Sequence, residues 1–99
     1  MTNSGFIELE IYNLTFYSSR DEENLFSWLG SVAAIKEIRG AGDSIFVKVA
    51  ASIEDDDLSE IISIFTRYGV SMKQLAAFDD GRFPWLKRKG MFWYEPIFG

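Results

Sequence analysis

The feature that most restricts this chain is a pattern that occurs twice. Residues 52–78, SIEDDDLSEIISIFTRYGVSMKQLAAF, read as an acidic cap, an amphipathic helix, a glycine stop and a strand. Residues 19–39, SRDEENLFSWLGSVAAIKEIR, read as an acidic cap, an amphipathic helix and a short strand. An alternating apolar strand precedes each copy. Two β-α-β units in tandem follow from that order, and a chain of 99 residues has room for one such domain.

Met1 to Gly5 form a small polar lead, expected to fray. Phe6 to Phe16 alternate with period two: Ile7, Leu9 and Ile11 share one face, and Glu8, Glu10 and Tyr12 share the other with Leu14 and Phe16. That periodicity predicts a strand with one buried side. Ser19 with Glu22 fits a capping box, and Leu25, Trp28, Leu29 and Val32 make the apolar stripe of a first helix. Val32 to Arg39 is the expected second strand, Gly40 to Asp43 a turn, and Ser44 to Ala51 the third strand. Ser52 or Glu54 caps a second helix with the stripe Leu58, Ile61, Ile62 and Phe65, widened by Ile64 and Tyr68. Gly69 stands where a left-handed C-terminal cap belongs, and Val70 to Phe78 read as a fourth strand.

The expected fold class is therefore α+β, a ferredoxin-like βαββαβ two-layer sandwich with strand order 4-1-3-2 and both helices on one face. Residues 6–81 form its body. Residues 82–99, RFPWLKRKGMFWYEPIFG, are an extension that carries six of the 16 aromatic residues. Such a tail buries rather than waves in water. It is expected to cross the helix-free sheet face, over Tyr12, Phe16 and Phe46, or to add a fifth strand.

The chain has no cysteine and no histidine. Disulfides, thiolate sites and histidine-based acid–base catalysis are thereby excluded, and transition-metal sites lose their commonest ligands. No glycine-rich phosphate loop precedes a helix, and Arg20 stands alone in the loop between strand one and helix one. The expectation is a protein without catalytic residues, cofactor or metal. Residues 1–20 lack the apolar core of a signal peptide, and no apolar run reaches membrane-spanning length. A cytoplasmic protein fits these facts.

Charge is unevenly placed. Residues 1–81 hold 14 acids against 6 bases, a net of −8, and residues 82–99 hold 4 bases against 1 acid, a net of +3. The acids Asp21, Glu22, Glu23 and Glu54 to Asp57 open the two helices. With strands one and three taken as parallel, all seven would share one edge of the sheet. Helix capping and dipole complementarity account for part of this clustering. An electrostatic patch for a basic protein is the functional reading of the remainder, and a hard-cation site lacks the calcium-loop spacing. The run Lys87-Arg88-Lys89 beside Trp85 and Trp93 has the residue types of a nucleic-acid surface. The third strand, SIFVKVA, has no base-stacking aromatic pattern, and an acidic body repels phosphate.

NLTFYSSRDEENLFSWL at 13–29 and FWYEPIF at 92–98, together with the size and acidity of the chain, resemble a bacterial immunity protein of the contact-dependent growth inhibition or polymorphic toxin type. The resemblance implies a cytosolic, non-catalytic protein that binds and neutralises one cognate toxin domain. Such toxins are often basic nucleases, to which an acidic surface is complementary. Asp21, Glu22, Glu23, Asp55, Asp56 and Asp57 are the expected partner-binding residues. The expected partners exclude nucleic acid and membrane, and the expected state is a monomer or a weak homodimer. The alternative is a small-ligand regulatory or dimerisation module of the same fold.

Overall fold

The computed structural model describes residues 5–99, so all of the polar lead except Gly5 lies outside the described residues. The elements run β1 (Phe6–Tyr12), α1 (Ser19–Gly30), β2 (Ile35–Ala41), β3 (Ser44–Ala50) and α2 (Asp55–Tyr68). Two 3-10 helices follow, Lys73–Phe78 and Pro84–Lys87, and then a short helix α3 (Tyr94–Phe98). Among the described residues the sheet has three strands in the order β1-β3-β2, all antiparallel. The fold is thus a small α+β domain.

Local chemistry explains most boundaries. β1 stops at Asn13, whose φ of 54° leaves the extended region and whose N–H donates to the Asp43 carbonyl at 2.8 Å. Asparagine tolerates that left-handed conformation better than most residues, so the strand is four residues shorter than the alternation predicts. Ser18, not Ser19, caps α1: its hydroxyl accepts from the Asp21 N–H at 3.1 Å, and the expected Ser19–Glu22 box is not made. β2 begins three residues later than expected, with a bulge between Ile35 and Glu37. A two-residue turn, Gly42-Asp43, joins β2 to β3, with Gly42 at φ 60°. α2 ends as expected at Gly69, in the left-handed conformation at φ 68°, with its N–H on the Phe65 and Thr66 carbonyls.

One sheet face is the core. Ile7, Leu9 and Ile11 stand opposite Val49, Val47 and Ile45, and Leu9, Ile11, Val47 and Val49 are fully buried. Leu25, Leu29, Leu58, Ile62 and Phe65 from the helices join the same cluster. The two helices are antiparallel neighbours. Near one end the Asp57 carboxylate accepts from the Ala34 N–H at 3.0 Å, and near the other the Tyr68 hydroxyl donates to the Asp21 carbonyl at 3.3 Å. Between them Trp28 Nε1 donates to Glu60 Oε1 at 2.6 Å.

The expected fourth strand is absent. Residues Lys73–Phe78 coil into a 3-10 helix. Met72, Leu75 and Phe78 are the buried positions, three residues apart, which three residues per turn bring to one side. The edge that a fourth strand would pair is met instead by one side chain. Gln74 Oε1 accepts from the Glu10 N–H and Gln74 Nε2 donates to the Glu10 carbonyl, both at 2.8 Å. A primary amide offers the same donor and acceptor as a peptide unit, so Gln74 acts as a single rung of sheet.

The tail forms no strand and leaves the helix-free face uncovered: Tyr12 there is 68% exposed. It lies instead along the outer side of α2. Arg82 and Phe83 sit beside the start of that helix, Phe92 sits beside Ser63, Thr66 and Arg67, and α3 packs on the Lys73–Phe78 turn. Phe83, Leu86 and Ile97 are buried in the common core. Trp85 meets Phe83 and Trp93 edge-on at 5.9 and 5.7 Å, and Trp93 Nε1 donates to the Leu86 carbonyl at 2.9 Å. Cover on two sides explains why Ile64, off the main stripe of α2, is also fully buried.

Candidate functional site

Because β1 and β3 are antiparallel, the two acidic helix starts do not share an edge. Tyr12 stands opposite Ser44, and Phe6 opposite Ala50. α1 therefore leaves one end of the sheet and α2 the other, about 20 Å apart along seven-residue strands. The parallel arrangement expected for strands one and three is overturned by this register. Of the six expected partner-binding residues, the structure brings Asp21, Glu22 and Glu23 together at the Tyr12 end. Asp55, Asp56 and Asp57 lie at the Ala50 end.

The two ends differ in what surrounds the carboxylates. At the Ala50 end Asp57 is half-buried and holds the Ala34 N–H, a structural duty. Asp55 and Asp56 are exposed and line a groove of about 490 Å³ with Arg82 and Phe83. Arg82 also donates to the Ile53 carbonyl at 3.3 Å and pairs with Asp80 at 3.0 Å. The Arg82 hydrogen bonds hold the Asp80 carboxyl below its ordinary pKa. A guanidinium thus already faces this acidic patch.

At the Tyr12 end Glu22 and Glu23 are exposed, and the half-buried Asp21 carboxylate accepts from the Tyr17 N–H at 3.1 Å. Asp43, at the hairpin tip, is exposed and shares a groove with Glu22. Tyr12 and Tyr17 project here, 68% and 89% exposed. Beside them the Tyr68 hydroxyl is pushed to a higher pKa, first by burial and then by the charge of Asp21. Sequence reasoning missed Asp43, Tyr12 and Tyr17 as members of this end. Only the β1–β3 register carries Asp43, some 20 residues away in the chain, to the α1 start.

The helix-free face is nearly balanced. Arg39 pairs with Glu8 and Lys48 with Glu37, each at 3.3 Å, and these two cations also lie over the Phe46 and Phe6 rings at 4.7 and 5.1 Å. Exposed pairs of this kind add little stability, but they neutralise two of this face's three acids and leave Glu10, which accepts from the Ser44 hydroxyl. In the basic turn Lys87 pairs with Asp79 at 3.4 Å, while Arg88 and Lys89 are exposed.

Among the described residues, no three acidic side chains come together as a cation site, and no buried side-chain polar atom lacks a hydrogen-bond partner. Nor is any helix among them long and apolar enough to cross a membrane. Fold and surface together define a small α+β domain with carboxylates at both ends, Arg82 beside one set and Arg67 beside Tyr17 and Asp21 at the other. Comparison with family models, with curated proteins and with solved structures returned no match.

Proposed function

We propose that this chain is an immunity-type inhibitor, a non-catalytic cytoplasmic protein that binds and neutralises a basic toxin domain. The observation that carries the reading is the Tyr12 end, where the exposed Glu22 and Asp43 share one groove and Asp21 shares another with the 89% exposed Tyr17. Tyrosine is enriched among residues that dominate interface energy, and nearby carboxylates steer a cationic partner to them. The contact set therefore centres on Asp21, Glu22 and Glu23. Asp55 and Asp56 are faced by Arg82, and Asp57 serves the fold. We take the βαββα order, with strands 1-3-2, as a ferredoxin-like sandwich in which Gln74 and its 3-10 helix stand in for the fourth strand.

The test is capture followed by neutralisation. Purified protein is used as bait in a lysate of its source organism, washed at rising salt, and the captured protein is identified. That protein is then expressed alone and together with the chain. Growth arrest by the captured protein, relieved by co-expression and not by a Glu22→Lys, Glu23→Lys variant, supports the reading. A captured protein that is harmless alone, or bait that elutes as a homodimer without a partner, overturns it.

A further inference from the structure

Between the β2–β3 hairpin tip and the first turns of α1 lies a groove of about 380 Å³. Its floor is apolar, with Leu14, Phe16, Phe26 and Ile45 all half-buried. Its rim carries two exposed carboxylates, Glu22 from α1 and Asp43 from the turn, and no lining residue is basic. Neither carboxylate is in an ion pair among the described residues. The hydrogen bond from the Asn13 N–H to the Asp43 carbonyl ties the hairpin tip to the end of β1 and holds the groove's wall in place.

Part of the opening traces to one residue. Gly40 stands opposite Ile45, on the face where β2 otherwise carries Ile35 and Ile38. A Cβ there would meet nothing within 4 Å, and Gly40 is not among the glycines with positive φ. The backbone does not require glycine at this position. What glycine does is leave the sheet's core face open at its end, in the groove that Glu22 and Asp43 also line.

Resting on the inhibitor reading above, we propose that this groove receives a lysine or arginine side chain of the toxin partner. The methylene stem lies on Phe16 and Phe26, and the cation sits between Glu22 and Asp43. Long basic side chains bury their stems on apolar surface while keeping the head charged, and a floor of this kind with an anionic rim matches both halves. The groove at the Ala50 end differs because Arg82 already fills the cationic role there.

Isotope-labelled protein titrated with acetyl-Gly-Arg-Gly-amide, followed by amide NMR, tests this, with acetyl-Gly-Gln-Gly-amide as control. The arginine peptide should shift the Asn13, Glu22, Gly40 and Gly42 signals saturably, and the glutamine peptide should not. Glu22→Gln and Asp43→Asn should each weaken binding roughly three- to tenfold, the range for a hydrogen-bonded pair at a solvent-exposed rim. Gly40→Val keeps every charge and sets an isopropyl group in the groove opposite Ile45; it should abolish the shifts while melting at or above the parent temperature. Shifts that follow Asp55 and Asp56 equally, or affinity retained in a folded Gly40→Val protein, overturn the groove. If the neutralised toxin binds parent and Gly40→Val alike but not the Glu22→Lys, Glu23→Lys variant, the groove fails and the inhibitor reading stands. If Gly40→Val abolishes peptide binding and no toxin is captured, the groove stands and the inhibitor reading fails.

Discussion

Gln74 replaces a strand with a side chain, and its removal measures how much of this fold that substitution supports. Its amide makes three hydrogen bonds: two with Glu10 at 2.8 Å and one to the Ser71 carbonyl at 2.9 Å. The Ser71 bond is local to its own turn, so the link between the 3-10 helix and β1 is the Glu10 pair. Each such bond contributes about 0.5–1.5 kcal/mol net. Gln74 is half-buried and Glu10 exposed, so in Gln74→Ala water replaces the lost partner and neither Glu10 group is orphaned. The loss then falls in the lower part of the sum, about 1–2 kcal/mol. For a domain of this size that lowers the melting temperature by about 4–16 °C. Gln74→Glu is the sharper variant. It keeps an acceptor for the Glu10 N–H but sets an anion against the Glu10 carbonyl, so it should be less stable than parent at neutral pH and recover as the carboxyl protonates. Thermal and denaturant unfolding followed by circular dichroism give the energies, and hydrogen exchange at the Glu10 amide gives the location. Parent-like stability in Gln74→Ala within about 0.3 kcal/mol, with unchanged Glu10 exchange, would refute the idea that this side chain closes the sheet edge.

Other consequences are equally direct. Leu86 is fully buried, so Leu86→Ala should cost about 2–5 kcal/mol in denaturant unfolding; a cost under 1 would mean the tail is a surface strap and not core. The raised Tyr68 pKa means that the folded state favours the neutral phenol. Its contribution is complete below the unfolded value near 10 and is lost as pH rises through the higher folded value. Stability of the parent should therefore fall above pH 10 more steeply than that of Tyr68→Phe, and parallel slopes would sink the assignment. Asp80 has the opposite sign: its pKa is lowered by Arg82, so its contribution is present above the unfolded value of 3.8 and lost as pH falls through the folded value, a loss that Arg82→Gln should remove from the acid limb. Charge reversal at Glu22 and Glu23 should slow association with a basic partner in a salt-dependent way, whereas reversal at Asp55 and Asp56 should change the rate little. Equal slowing at both ends would show that net charge alone steers.

What the sequence determined by itself is the local part of this protein. Period-two alternation placed Ile7, Leu9 and Ile11 on one face of β1. The 3.6-residue stripe placed Leu58, Ile61, Ile62 and Phe65 in the core, and Gly69 ended α2 because its position requires φ near 68°. These are short-range effects of side-chain spacing and backbone sterics, so they are written in consecutive residues. The tertiary structure decided what depends on partners far apart in the chain. Residues 70–78 contain Val70 and Met72, compatible with a strand, but the period-three burial of Met72, Leu75 and Phe78 and the Gln74 amide on Glu10 settle the segment as a 3-10 helix. The aromatic tail had two apolar surfaces to cover, and its residues alone do not say which. It packs along α2, where Ile64 is the apolar side chain that needs cover, while Arg39 and Lys48 over Phe46 and Phe6 leave the helix-free face content in water. Strand direction decided the site: the antiparallel β1–β3 register separates the two acidic helix starts and brings Asp43 to Glu22, because long-range pairing, not sequence distance, sets which charges become neighbours.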